Sequence, residues 1–177
     1  MVEGFPDLRN RAGDHNILNC SVGCGISGHL PIYKEWADSA LLAGIHVVAA
    51  SGSPETSEWP AYLSSVLGVD CALSNDTGLR YVPGRMVEFA AADAEVRVPW
   101  KDRGHRVMTG SSFAAAWLSG MLARLLSVYP EMDPILAKSL LRRVAPFLYL
   151  LGEPCKPSWL AAELLTQFNS LLFGELA

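Results

Sequence analysis

The sequence predicts an α/β protein in which a mainly parallel β-sheet packs around a buried central helix. Residues 17–22, 46–50 and 66–69 are mostly apolar, and we interpret them as strands that are covered on both faces. A strand–helix–strand order over residues 17–50 favours parallel pairing. Residues 111–126 form a long helical run whose one charge is Arg124, which indicates a helix buried on most sides.

The other elements follow in chain order. Residues 31–43 have helical spacing and end at Gly44, a residue type that commonly follows the last turn of a helix. Further strands are predicted at residues 86–91 and 94–98. Turn signals dominate residues 70–83, and residues 100–106 are interpreted as a charged loop.

Two helices complete the chain. Asp133 is expected to cap a helix that runs to Val144, with Pro134 in its first turn. A final amphipathic helix is expected over residues 158–173. No internal repeat interrupts this order, so residues 1–177 are interpreted as a single domain.

Composition excludes several function classes. A chain of 177 residues can bury a sizeable core. Its formal net charge of −4 gives no reason to expect nucleic acid or an anionic membrane as a partner. The apolar runs are interrupted by Gly, Pro or charge before they reach membrane-spanning length, and no signal-peptide pattern begins the chain.

The four cysteines are Cys20, Cys24, Cys71 and Cys155. They do not form a disulfide framework typical of small secreted domains. No second Cys pair or His pair completes a zinc site. We therefore expect free thiols, no metal and no cofactor, and the reduced cytoplasm is the favoured compartment.

A pair of serines at the start of the central helix is the main chemical signal. Ser111 and Ser112 follow Gly110, where unpaired backbone N–H groups and the positive end of the helix dipole converge. Such a position can stabilise a developing oxyanion. The alternative is that one of these serines only caps the helix.

Four segments, in this order, resemble the C-terminal half of the subtilisin-like serine protease family, the subtilases. Residues 17–23 resemble the substrate-binding strand motif I-N-x-S-L-G, and residues 44–53 resemble G-x-x-V-V-A-A-A-G-N. Residues 59–69 resemble Y-P-A…S-V-I-A-V-G, and residues 110–114 resemble G-T-S-M-A. The resemblance extends over residues 17–141. It implies a three-layer subtilisin-like fold, here partial and incomplete at its N-terminus.

The resemblance also implies roles for single residues. Ser112 takes the position of the nucleophile. Ser53 takes the oxyanion-hole position, where the family has Asn. The implied substrate-binding edges are Ser21, Val22 and Gly23 on one side and Ala50, Ser51 and Gly52 on the other.

The main departure from the family concerns its Asp and His motifs. In the family these motifs lie upstream of the strand that residues 17–23 resemble. No His-Gly-Thr occurs in the sequence, and the Asp-Thr-Gly at residues 76–78 is interpreted as a turn. Asp14 and His15 are adjacent, so one cannot easily orient the other. His105 has no carboxylate nearby in sequence except Asp102. A serine without a base and its orienting carboxylate loses most of the triad's rate gain.

Two hypotheses remain open from the sequence. Under the first, the chain carries the nucleophile of a subtilisin-type endopeptidase whose Asp and His come from another segment or chain, with a peptide or protein as substrate. Alternatively, it is an inactive subtilase-like module that binds peptides or a partner protein. A complementary N-terminal half or a second copy is expected to cover apolar surface. An α/β-hydrolase is disfavoured, because Phe113 and Ala114 follow Ser112 where that fold needs x-Gly.

Overall fold

The computed structural model describes residues 17–52, 57–71, 78–91 and 96–145. Five strands form one sheet in the order β1-β2-β3-β5-β4. The strands are β1 (Ile17–Cys20), β2 (His46–Ala50), β3 (Leu67–Cys71), β4 (Leu79–Tyr81) and β5 (Phe89–Ala91). Neighbouring strands are parallel from β1 to β5, and β4 pairs with β5 antiparallel. The predicted mainly parallel sheet is confirmed.

Within the part of the chain that the structure describes, three α-helices cover this sheet: α1 (Leu30–Leu42), α2 (Ser111–Val128) and α3 (Pro134–Val144). Alternate residues of β2 belong to two separate cores. Val48 and Ala50 pack in the core that contains α2 and α3, whereas Val47 and Ala49 pack with α1. The sheet is therefore the middle of three layers, and burial on both faces explains why β2 lacks polar alternation.

The central helix α2 is the largest contributor to the core. Eight of its side chains are buried, and they lie against β1, β2, β3 and β5. By length and composition alone, α2 is apolar enough to cross a membrane. Its contacts with four strands are instead typical of the core helix of an α/β fold.

The helix α3 is fastened to the sheet by polar contacts. Lys138 donates to the carbonyls of Ser64 and Val66, each at 2.9 Å. Arg142 donates to the Tyr81 hydroxyl at 2.6 Å, and its guanidinium lies 4.8 Å from the centre of that ring. Burial lowers the pKa of Lys138, while the nearby Glu88 carboxylate opposes that shift. The predicted cap is confirmed, since Asp133 accepts from two first-turn amides.

Three expectations need correction. The turn-rich stretch contains β4, which forms an antiparallel edge of the sheet. The expected fifth strand of the sheet is instead β6 (Val96–Pro99), which pairs with β7 (His105–Met108) in a separate two-stranded ribbon. β7 lies partly in the expected charged loop. β7 pairs with the nearby β6 and most of its residues are exposed. It therefore lacks the apolar pattern by which a strand is distinguished from a loop.

Close backbone packing explains one glycine of β3. A Cβ on Gly68 would overlap the Ala61 carbonyl oxygen and lie 3.5 Å from the Val87 Cα. Gly68 therefore lets the backbone at Ala61 approach β3 directly. The helix expected over residues 158–173 lies outside the described residues.

Candidate active site

The candidate site lies where β1 ends and α2 begins. β1 and β2 run parallel, with Cys20 opposite Ala49, so their carboxyl ends meet at the same edge of the sheet. Ligands of open α/β sheets bind in the crevice outside such carboxyl ends. α2 begins directly beside this edge, because Ser112 contacts Ser21, the residue after β1.

Gly110 sets the start of α2. It is the N-cap residue, with φ 147° and ψ 156°, a conformation that is essentially restricted to glycine. Its carbonyl accepts from the amides of Phe113 at 2.9 Å and Ala114 at 3.4 Å. The glycine before the two serines is therefore needed to turn the chain into the helix at this point.

Ser112 is joined to Ser21 by two reciprocal hydrogen bonds. The Ser112 hydroxyl donates to the Ser21 carbonyl at 3.2 Å, and the Ser21 hydroxyl donates to the Ser112 carbonyl at 3.2 Å. Asn19 Nδ2 donates to the Ser21 hydroxyl at 3.1 Å. The Ser119 hydroxyl lies 3.3 Å from Asn19 Oδ1 and donates to the Ala115 carbonyl at 2.8 Å. These contacts hold the first three turns of α2 against the end of β1.

The structure does not support the capping alternative. Gly110 occupies the N-cap position, and no side chain makes a cap hydrogen bond at this end of α2. Ser111 is buried, whereas Ser112 is exposed. Of the two serines, Ser112 is therefore the one that a ligand can reach.

The start of α2 also offers hydrogen-bond donors. The amides of Phe113 and Ala114 are bonded to Gly110, which leaves those of Ser111 and Ser112 as the first-turn donors within the described residues. They lie at the positive end of an 18-residue helix. An oxyanion that forms beside the Ser112 hydroxyl would be stabilised by these donors.

The six residues of the expected substrate-binding edges lie on two adjacent segments. Ser21, Val22 and Gly23 follow β1, and Val22 is 73% exposed. Ala50 ends β2 and is buried, as is Ser51, whose amide donates to the Val69 carbonyl at 2.9 Å. Gly52 is exposed. Ala50 and Ser51 are therefore the least accessible of the six residues. Ser53, the expected oxyanion donor, lies outside the described residues.

Glu58 is a residue of this site that the sequence reasoning missed. A Cβ on Gly23 would lie 2.5 Å from Glu58 Oε2, and a Cβ on Gly52 would overlap the same oxygen. The neighbouring Trp59 is held to the first segment by two backbone hydrogen bonds with Cys24, at 2.9 and 3.0 Å. The sequence signal was available, since Glu58 directly precedes the Trp-Pro-Ala motif.

Each histidine of the described residues has its own place in the fold. His46 is buried at the amino end of β2, opposite Ile17. His29 Nδ1 lies 3.6 Å from the Cys24 thiol sulfur, and His105 is exposed at the start of β7. Within the described residues, Ser112 donates to a backbone carbonyl and to no imidazole. Asp14 and His15 lie outside those residues, as do Asp76 and Thr77.

Cys20, which directly precedes Ser21, is not an alternative nucleophile. Burial raises the pKa of the Cys20 thiol to about 11, so the thiol is protonated at neutral pH, whereas a nucleophilic cysteine is a thiolate. Cys20, Cys24 and Cys71 are free, as expected, and Cys155 lies outside the described residues. No group of three or more His, Cys, Asp or Glu side chains that could hold a metal occurs among the residues described.

Comparison with known proteins places the chain in a protease family. A family model described as the subtilase family matches residues 12–167. The chain is 31% identical over 125 residues to subtilisin DY of Bacillus licheniformis, and the match covers 67% of the chain and 45% of that protein. It is 28% identical over 142 residues to a probable subtilase-type serine protease of Deinococcus radiodurans, covering 68% of the chain and 20% of the relative.

Solved structures give the same fold. A structure described as the S41 psychrophilic protease superposes with a TM-score of 0.60 at 22% identity, covering 78% of this chain and 52% of that one. A cold-adapted subtilisin-like serine proteinase also gives 0.60, at 20% identity, covering 82% of this chain and 60% of that one. The chain spans less than half the length of the curated relatives named above.

Proposed function

Because the chain belongs to the subtilase family, we propose that it carries the nucleophile and peptide-binding edges of a subtilisin-type serine endopeptidase. The observation that carries this proposal is the position of Ser112. Its exposed hydroxyl lies at the start of α2 and beside the carboxyl end of β1. A peptide carbonyl bound there would meet a nucleophile and the first-turn amide donors together.

The reaction assigns one role to each part of the site. The Ser112 oxygen attacks the peptide carbonyl carbon while a base accepts the hydroxyl proton. The amides of Ser111 and Ser112 stabilise the oxyanion, with Ser53 as the further donor implied by the family resemblance. Residues 21–23 and 50–52 hold the extended peptide. The peptide C–N bond then breaks, and the amine leaves with the proton that the base had accepted. Water, deprotonated by the same base, hydrolyses the acyl-serine ester, which releases the carboxylic acid and restores the Ser112 hydroxyl.

The base and its carboxylate are proposed to come from a segment outside the described residues. Two observations support this. Within the described residues, the Ser112 hydroxyl is bonded to the Ser21 carbonyl and not to an imidazole. β1 also forms one edge of the described sheet, and an edge strand can pair with a further strand. A complementary segment with Asp-Thr/Ser-Gly and His-Gly-Thr motifs could pair with β1 and bring its imidazole to Ser112.

A fluorophosphonate probe tests this proposal, since it labels an activated serine. The chain alone should label slowly, and co-expression with a polypeptide that carries the Asp-Thr/Ser-Gly and His-Gly-Thr motifs should accelerate labelling. Ser112→Ala should abolish labelling, and the matched control Ser111→Ala should retain it because that side chain is buried. Rapid labelling of the chain alone would show that it contains its own base, and His105→Ala would then test the first candidate.

A second candidate function is peptide or protein binding without hydrolysis. It is favoured by the present hydrogen bond of Ser112, which holds the hydroxyl on a backbone carbonyl. Under this alternative, the complementary polypeptide would bind without accelerating labelling. A chain that pairs with a second copy of itself would also fail to label. Sedimentation of the chain alone detects such a homo-oligomer and so distinguishes it from a complex with a different partner.

A further inference from the structure

A thiol and an imidazole lie together a few residues beyond the end of β1. Cys24 Sγ is 3.6 Å from His29 Nδ1, which is within hydrogen-bond distance for sulfur. The function proposed above uses neither side chain. A nucleophile within hydrogen-bond reach of a base is the arrangement that activates cysteines for covalent chemistry. The pair is therefore a candidate reactive group that is separate from Ser112.

The backbone holds both members of the pair in place. The Cys24 amide donates to the Trp59 carbonyl at 3.0 Å, and the Trp59 amide donates to the Cys24 carbonyl at 2.9 Å. His29 ends a short 3-10 helix and directly precedes α1, and its amide donates to the Ile26 carbonyl at 3.0 Å. Each side chain is therefore attached to an ordered segment of main chain, so their contact is a feature of the fold.

A third polar group faces the sulfur from α1. Tyr33 lies in the first turn of this helix and is buried. Burial raises the pKa of Tyr33, and the charge of the neighbouring Cys24 and a hydrogen bond with it add to that shift. The Tyr33 hydroxyl therefore keeps its proton at neutral pH and can donate to the sulfur. His29 can accept the thiol proton when its own proton is on Nε2, and Tyr33 then stabilises the thiolate.

The other two cysteines of the described residues have different surroundings. Cys20 is buried, and burial raises its pKa to about 11. Cys71 is half-buried like Cys24, but its thiol donates to Asp70 Oδ1 at 3.6 Å. A carboxylate in that position holds the thiol proton and repels a thiolate. Of these three cysteines, Cys24 is the one that combines partial exposure with a neighbouring imidazole, as reactive cysteines do.

The loop that joins Cys24 to His29 is open to small molecules. Residues 25–28 are all exposed, and Cys24 itself is partly exposed. A Cβ added to Gly28 would meet no neighbouring atom within 4 Å, so there is space above this loop. A small reagent can therefore approach the pair, whereas the buried Cys20 is protected from it.

We propose that Cys24 is a modification site that forms a mixed disulfide with a low-molecular-weight disulfide such as glutathione disulfide, with His29 as the base. His29 accepts the thiol proton, and the Cys24 sulfur attacks one sulfur of the reagent. The S–S bond of the reagent breaks, and its second half leaves as a thiolate that takes the proton from His29. Cys24 is oxidised to the mixed disulfide, and one molecule of glutathione is released in reduced form.

The modification would act on the neighbouring peptide-binding edge, and this consequence rests on the proposed function. Gly23 directly precedes Cys24, and Val22 is 73% exposed. A glutathionyl group is itself a tripeptide, so at Cys24 it would occupy space beside residues 21–23. We therefore expect modification to slow the labelling of Ser112 when the complementary polypeptide is present, and dithiothreitol to restore it.

Peptide mapping by mass spectrometry tests the modification on the chain alone. The unaltered chain is incubated with glutathione disulfide, and the modified fraction of each cysteine is followed with time. Cys24 should be modified at least about tenfold faster than Cys71, because assistance by a positioned base typically exceeds that factor. In concentrated urea the two rates should become similar, since the fold places His29 and Asp70 beside the two sulfurs.

His29→Gln removes the base, and it should slow modification of Cys24 about tenfold while the rate at Cys71 stays the same. His105→Gln is the matched control, because it replaces an exposed histidine at the start of β7. It should leave both rates unchanged. A circular dichroism melt checks that each variant is folded, and the rate at Cys71 detects a general loosening of the structure.

The outcomes separate this inference from the proposed function. Equal rates at Cys24 and Cys71 in the folded chain would overturn the proposal, and an unchanged rate at Cys24 in His29→Gln would overturn the role of His29 as the base. Unchanged labelling of Ser112 after modification would overturn the effect on the peptide-binding edge alone. Because peptide mapping does not depend on Ser112, failure of the proposed function would leave the modification of Cys24 intact.

Discussion

Ser112 and Ser21 exchange two hydrogen bonds, each from the hydroxyl of one residue to the carbonyl of the other, at 3.2 Å. The pair is separated by 91 residues in the chain. It joins the start of α2 to the end of β1, so the proposed nucleophile and one proposed peptide-binding edge have a fixed relative position. Each bond uses a backbone carbonyl as its acceptor, so removal of one hydroxyl abolishes one bond and leaves the acceptor of the other in place.

Ser21→Ala should destabilise the protein modestly. The variant loses the bond to the Ser112 carbonyl and the contact with Asn19, while the Ser112 hydroxyl keeps its acceptor. An intramolecular hydrogen bond contributes about 0.5–1.5 kcal/mol, and partial exposure favours the lower half of that range. Urea unfolding measures the change. Ser127→Ala is the control, since its exposed hydroxyl bonds only within α2, and no measurable loss is expected.

Gly110→Ala should lower both stability and serine labelling. A Cβ at φ 147° is strained, and such conformations cost on the order of 1–3 kcal/mol. Relief of the strain would move the start of α2 and therefore Ser112. Gly120→Ala is the matched control, because Gly120 lies inside α2 and an added Cβ would meet no neighbouring atom within 4 Å. That change should stabilise the protein by roughly 0.5–1 kcal/mol.

A stable Gly110→Ala variant with unchanged labelling would contradict the positioning role of this glycine. Both measurements are made with the complementary polypeptide present, so that the unaltered chain labels fast enough for a decrease to be measured. Chemical denaturation of the same samples separates a loss of position from a loss of folding.

Leu122→Ala should be strongly destabilising. Leu122 is fully buried in the core between α2 and the sheet. Truncation of such a leucine costs about 2–5 kcal/mol, depending on how far the cavity collapses. Leu136→Ala is the control on α3, where the side chain is 53% exposed. Equal losses in the two variants would be inconsistent with the three-layer arrangement.

Stability should fall between pH 9 and 11 because of Cys20. Burial raises its pKa from 9.0 to about 11 in the folded protein. In that window the unfolded thiol releases its proton and the folded thiol keeps it, so the folded state binds more protons and the free energy of unfolding decreases with pH. The free energy of unfolding falls by at most about 1.4 kcal/mol per pH unit through this single thiol.

Urea unfolding at pH 8 and pH 10.5, under reducing conditions, measures this effect. Lys138 also titrates in alkaline solution, and its lowered pKa acts in the opposite direction because the unfolded lysine keeps its proton longer. The comparison is therefore made against Cys20→Ala, which retains Lys138. The fall in stability should be larger in the unaltered chain, and an identical fall in both proteins would exclude Cys20 as its source.

The sequence alone determined the class of the fold and its central elements. Buried parallel strands require apolar residues on both faces, and β2 and β3 have this composition over nearly their whole length. The Gly110-Ser111-Ser112 turn and the apolar run after it predicted the start of α2 at Ser111 and its end within two residues. These features could be recognised because each depends on residues that are adjacent in the chain.

Only the tertiary structure decided which residues share the site. The pairing of β1 with β2 brings Gly23 beside Gly52, and the backbone bridge between Cys24 and Trp59 brings Glu58 to both. It also decided that Gly110, and neither serine, is the N-cap of α2. The local sequence around Glu58 is that of a polar loop. Its position beside Gly23 and Gly52 depends on two strands that end earlier in the chain, so the local sequence does not reveal it. Such contacts are set by strand register and backbone packing, which hydrophobic periodicity does not encode.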